Sequence, residues 1–169
     1  MKKFCLYPSA AVLSGVLALS APAVAKETAL EHFLQKHVQN QLETCLNGIG
    51  KVQKIQNRHF VVYTAAGSYD ADNRDFPCLG NATWDNLAEL KYQNGRYTVV
   101  NLDLLDKLGD QRDFAYIENV HIRNGIATLD TLSYGKRDLP HRPRDKHQWK
   151  IRLSDMKVLS KKFTGRAPE

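Results

Sequence analysis

Apolar residues at Leu30, Phe33, Leu34, Val38 and Leu42 recur at helical spacing, and Cys45, Leu46 and Ile49 continue the series. This spacing puts one apolar stripe along a helix and buries it against another element. Thr28-Ala-Leu-Glu31 reads as a capping box, in which the Thr hydroxyl and the Glu carboxylate each satisfy a backbone N–H of the first turn. Asn47-Gly48 reads as the helix stop. From Lys51 the period changes to that of strands. Val52 and Ile55, then Asn57-Arg58, then Phe60-Val-Val-Tyr-Thr64 predict a first hairpin. Gly67 to Gly80 reads as a polar loop, and Trp84–Gln93 and Arg96–Leu102 as strands around Asn94-Gly95. Asp103 to Asp113 is an acidic, Leu-containing connector with room for one helical turn.

The strongest local signal lies beyond it. Phe114 to Arg123 and Ile126 to Tyr134 are rich in β-branched and aromatic residues and flank Asn124-Gly125. A type I′ turn needs positive φ at both central residues, which Asn-Gly supplies. After Gly135 comes a basic, proline-broken loop to Lys146, then a strand Gln148–Leu153, a turn at Ser154-Asp155 and a strand Met156–Leu159. Lys161 to Glu169 is polar and reads as a frayed end. The hairpins show no side-chain repeat and predict a meander. The expected fold is α+β: an N-terminal amphipathic helix packed on one twisted antiparallel sheet of about six to eight strands built from sequential hairpins.

The first residues fix the expected compartment. Met1-Lys2-Lys3, the apolar run Ala10–Leu19 and Ala23-Val24-Ala25 have the form of a secretory signal peptide cleaved after Ala25. The run is too short to span a bilayer. No Cys stands at the cleavage site, so no lipid anchor is expected, and Cys5 lies too early to serve. The expected organisation is a signal peptide, 1–25, and a single α+β domain, 26–169, in a periplasmic or secreted location. Losing Lys2 and Lys3 leaves 22 of the 24 basic side chains against 18 acidic ones. That mild excess permits contact with an anionic envelope component without demanding it. The compartment disfavours nucleic acid. Cys45 and Cys78 remain after export and are expected to form a disulfide. On the predicted helix, Cys45 would pin that helix to the rest of the fold.

Three groups of residues bear on chemistry. Asp70, Asp72 and Asp75, with Asn73, space oxygen ligands in a loop and suit Ca²⁺ weakly, because the Gly and Glu that an EF-hand loop needs are absent. Turn formation explains the same residues, and no cofactor is otherwise expected. Lys136, Arg137, His141, Arg142, Arg144, Lys146 and His147, edged by Tyr134 and Trp149, form the second group. Arg forks take phosphate or carboxylate bidentately, so this loop is the expected contact for an anionic envelope component or an acidic partner. A solvated loop neutralised by Asp138, Asp145 or the 103–113 connector is the competing reading. The third group, Ser133, His121 and Asp130, lacks any supporting nucleophile motif. No carboxylate pair stands out for glycoside cleavage. His32 and His37, five apart, do not share a helix face.

Leu108-Gly109-Asp110, Ile117, Val120, Ile122, Asn124-Gly125-Ile126 and Asp130, followed by Gly135-x-x-Asp138-x-Pro140-x-x-Pro143 and the strand through Trp149 to Leu159, resemble LppP/LprE-type exported bacterial proteins. The resemblance covers residues 108–159 and implies export without an assigned activity; it brings no catalytic residues. His141-Arg142 stands where that loop often carries cysteines, and the lipidation Cys is missing. The expected function is therefore that of a non-catalytic binding or accessory protein of the envelope. The alternative is an inhibitor or immunity-type protein directed at an envelope enzyme, with a hydrolase third.

Overall fold

The computed structural model describes residues 22–73, 75–139 and 142–168, with side chains from residue 29 onward. Among the described residues the elements run α1 (Pro22–Leu42), β1 (Cys45–Ile55), β2 (Arg58–Tyr69), β3 (Cys78–Gln93) and β4 (Arg96–Asn101), a 3₁₀ segment (Leu104–Gln111), then β5 (Tyr116–Arg123), β6 (Ile126–Ser133), β7 (Asp145–Arg152) and β8 (Lys157–Arg166). The protein is mostly β with a helix. The strands form two antiparallel meanders, β1-β2-β3-β4 and β5-β6-β7-β8, rather than one sheet. The break comes at the connector, whose 3₁₀ segment buries Leu104, Leu105 and Leu108 between the sheets instead of continuing the ladder.

The molecule has three layers, and β2 shows why. Its alternate residues serve two cores. Phe60 and Val62 face the second sheet, where they join Leu87, Leu129, Trp149 and Ile151. Val61, Tyr63 and Ala65 face α1, where they meet Leu30, Leu34 and Val38. A strand covered on both faces reads as an unbroken apolar run, which is how Phe60–Tyr63 appears in the sequence. On β6 the alternation is the half-buried kind: Ala127, Leu129, Thr131 and Ser133 point inward, and Thr128, Asp130 and Leu132 outward.

Two turns match the Asn-Gly signals, with φ of 52° and 77° at Asn94 and Gly95, and 52° and 73° at Asn124 and Gly125. The first hairpin turns one residue earlier than expected, at Gln56 (φ 53°) and Asn57. The helix needs two corrections. It is already under way at Thr28, because Pro22-Ala-Val-Ala begins it upstream with proline in the first turn. It ends at Leu42, where Glu43 takes φ 50° and leaves the helix. Cys45 and Leu46 then pair with Ala66 and Ala65, and Asn47-Gly48 falls in a β-bulge. Ladder hydrogen bonds and the disulfide outweigh the continued helical spacing.

The Cys45–Cys78 disulfide is present, with its Cα atoms 5.9 Å apart. It ties the start of β1 to the start of β3 across β2, and does not pin α1. The polar loop shortens to residues 70–77. The C-terminal residues also depart from expectation: Lys161 to Arg166 are paired strand, in register with β7. The Lys161 ammonium lies 4.7 Å from the Trp149 ring centroid, so its stem covers the core edge. Residues 1–21 of the expected leader lie outside the described residues, and the expected cleavage point after Ala25 falls inside α1.

Candidate anion-binding cleft

The loop between β6 and β7 is closed at its neck by one carboxylate. Asp138 Oδ2 accepts the backbone N–H of Gly135 at 2.8 Å and that of Arg144 at 2.9 Å. Its side chain is fully withdrawn from solvent, and its other oxygen pairs with the Arg166 guanidinium. The Gly135 hydrogen bond, then that of Arg144 and the charges of Arg166 and Arg144, hold the Asp138 carboxyl below the ordinary carboxylate range. A Cβ at position 135 would sit 2.8 Å from the Asp145 carboxylate, which would have to shift to admit it. Arg166 Nε lies 3.3 Å from Asp145 Oδ1. Arg144 Nε donates to Ala167 O at 3.0 Å, and Ala167 N donates to Arg144 O at 2.8 Å, so the 166–168 segment forms a wall beside the loop.

Between loop and wall lies a cleft of about 650 Å³. Arg137, Arg142 and Arg144 line one side; Tyr116, Leu132, Leu139 and Pro143 supply apolar surface. The two loop carboxylates that sequence reading offers as neutralisers, Asp138 and Asp145, are both engaged by Arg166, which stands outside the loop. Among the described residues no ion pair joins the connector to the loop: Asp103 pairs with Arg112 and Asp113 with Lys161. Among the described residues, Lys136, Arg137 and Arg142 form no ion pair. Leu139 is 64% exposed at the loop's tip.

No family model matches the chain, no curated protein matches it, and no solved structure matches it.

The remaining candidates are dispersed. Lys146 pairs with Glu118 at 3.3 Å on the outer face of the second sheet. Trp149 belongs to the core, 2% exposed and packed edge-on against Phe114 at 5.4 Å, so it is not part of the loop surface. Pro140 and His141 lie outside the described residues. Asp70 Oδ1 accepts from Asp72 N at 3.0 Å and Asn73 Oδ1 from Phe76 N at 3.1 Å, which are turn bonds. Among the described residues, no three His, Cys, Asp or Glu side chains gather as Asp70, Asp72 and Asp75 would need to in order to hold Ca²⁺. Ser133 points inward, while Asp130 points outward and accepts from Gln148 Nε2 at 3.0 Å. His121 is exposed on β5. These three do not converge.

His147, expected with the basic loop, has its Nδ1 3.0 Å from Ser133 Oγ, a contact that depends on the β6–β7 register. One contributor to the cleft escapes sequence reading. Arg166 holds the loop carboxylates from a segment that reads as a polar tail; Phe163 amid the basic residues is the available hint that a strand continues there.

Proposed function

We propose that this protein is an exported, non-catalytic binding or accessory protein of the cell envelope that contacts an anionic envelope component through the cleft at Arg137 and Arg142. The observation that carries this reading is the commitment of Asp138 and Asp145 to Arg166. It leaves Arg137 and Arg142 without an ion pair among the described residues, at the mouth of a concave site. The disulfide suits an oxidising compartment, and among the described residues no helix is long and apolar enough to cross a membrane. The Gly135-x-x-Asp138 spacing acquires a physical role, since both residues close the loop neck.

Cosedimentation with cell-wall sacculi and with outer-membrane vesicles across a salt series tests the reading. Binding that weakens as salt rises, and is lost in Arg137→Glu/Arg142→Glu, is expected. No binding at low salt would overturn it. A salt-tolerant, stoichiometric complex with one envelope protein would instead select the inhibitor or immunity-type alternative.

A further inference from the structure

We infer that the cleft lined by Arg137, Leu139, Arg142 and Pro143 takes a single-chain anionic amphiphile, an alkyl chain ending in phosphate or carboxylate. This rests on the anion-contact reading and narrows it to a ligand class.

The outer face of the second sheet is polar along most of its length, with Thr128 and Asp130 on β6 opposite Lys150 and Gln148 on β7. At the loop end it gains apolar surface from the register partners Tyr116 and Leu132, with Lys146 beside Leu132 on β7. Leu139 and Pro143 extend that apolar surface into the cleft. A site for a bare anion has no use for this lining. Leu139, 64% exposed between two arginines, packs in neither core, and an alkyl chain laid along Leu132 and Pro143 would cover it. The head group belongs at Arg137 and Arg142, whose planar forks match either phosphate or carboxylate. Asp138 also lines the cleft, but it meets the ligand as a compensated group: two backbone N–H groups and Arg166 take up its charge. The cleft volume, about 650 Å³, suits one ligand of this size.

The test is calorimetric titration of the protein purified after expression of the full-length sequence, at low salt. The probes are decyl phosphate, decanoate, inorganic phosphate and decanol, each below any micellar concentration. Both decyl anions are expected to bind with a stoichiometry of one, at least tenfold more tightly than phosphate or decanol. Arg137→Glu/Arg142→Glu should weaken both at least tenfold. Leu139→Ser, which removes the apolar side chain without adding charge, should weaken the alkyl anions and leave the phosphate response unchanged. All three substitutions are at exposed positions, and circular dichroism checks that each variant is folded.

Alkyl anions that bind no better than phosphate would overturn the inference, as would multiple binding insensitive to both variants. Sacculus or vesicle binding that persists beside such a failure would leave the anion-contact reading standing. Binding to anionic vesicles without binding of the monomeric amphiphile would transfer the site to a membrane surface. Loss of every interaction would remove both readings.

Discussion

Replacing Arg112 by Leu should destabilise the fold by about 3 kcal/mol near neutral pH, and the loss should shrink on acidification. Arg112 sits where the chain passes from one sheet to the other. Its Nη1 donates to Asp103 Oδ2 at 3.1 Å, with both side chains only 16% exposed. Its Nη2 donates to the carbonyl of Asp85 and, at 3.1 Å, to Asn86 Oδ1. The guanidinium carbon lies 5.5 Å from the Phe114 ring centroid. Removing one partner of a buried ion pair costs about 3–5 kcal/mol, mostly through the charge left behind. The residual exposure of Asp103 admits some water and argues for the lower end. Burial already raises the Asp103 carboxyl above the ordinary carboxylate range, against the opposing pull of Arg112. Without Arg112 it rises further. In the variant, the folded state then holds a proton that the unfolded state has lost, so stability decreases as pH rises through the Asp103 folded pKa and recovers as pH falls below it.

Urea unfolding followed by circular dichroism reads this directly. With a slope of about 1.5 kcal/mol/M, the expected loss moves the midpoint by about 2 M. Asp103→Asn/Arg112→Leu should recover part of the loss at neutral pH, because the stranded charge is gone. A loss below about 1 kcal/mol, or an equal loss at neutral and acid pH with no recovery in the double variant, would refute the reasoning.

Three further outcomes are expected. Cys45→Ser/Cys78→Ser should lower stability by about 2–4 kcal/mol in the same urea assay, since the bond spans a sequence separation of 33; an unchanged midpoint would show that β1 and β3 hold their places without it. His59 is buried, stacked on Tyr92 and edge-on to Tyr97, with Nδ1 unpartnered; burial and then the nearby Lys54 hold its pKa below the ordinary value. Its folded form resists protonation, so stability is full above the unfolded His pKa of about 6.5 and falls as pH drops from there toward the folded pKa; His59→Phe should flatten that slope, and an unchanged slope would exclude His59 as its source. Arg166→Gln should weaken anion binding several-fold at low salt even though Arg166 need not touch the ligand, because Asp138 and Asp145 become free to oppose the loop cations; undiminished affinity would show that the loop carboxylates do not matter.

The hairpins were legible because Asn-Gly is local chemistry: positive φ at two adjacent residues is a property of the dipeptide, as Asn94-Gly95 and Asn124-Gly125 show. The division into two sheets was not. The connector's leucines read equally well as a surface turn or a core insert, and only the facing sheets decide between them. Cys45 failed for a related reason. Its place in a helical series was real, but pairing with Ala66 and the bond to Cys78 are long-range and outweighed the local period. The basic loop could be located from composition. Its electrostatic state could not, because whether Asp138 neutralises Arg137 or serves Arg166 depends on a strand from the far end of the chain.

In the proposed binding role the loop cations, and not net charge, make the contact. This is tested most directly by comparing two variants of equal charge change for binding to envelope vesicles. Arg137→Glu/Arg142→Glu alters the cleft. Lys150→Glu/Lys162→Glu alters exposed cations on the paired strands β7 and β8, away from the cleft lining. Binding at least tenfold weaker, equivalent to about 1.4 kcal/mol, is expected for the first, and near-native binding for the second. Equal losses in both would contradict this and reduce the interaction to the charge of the whole protein.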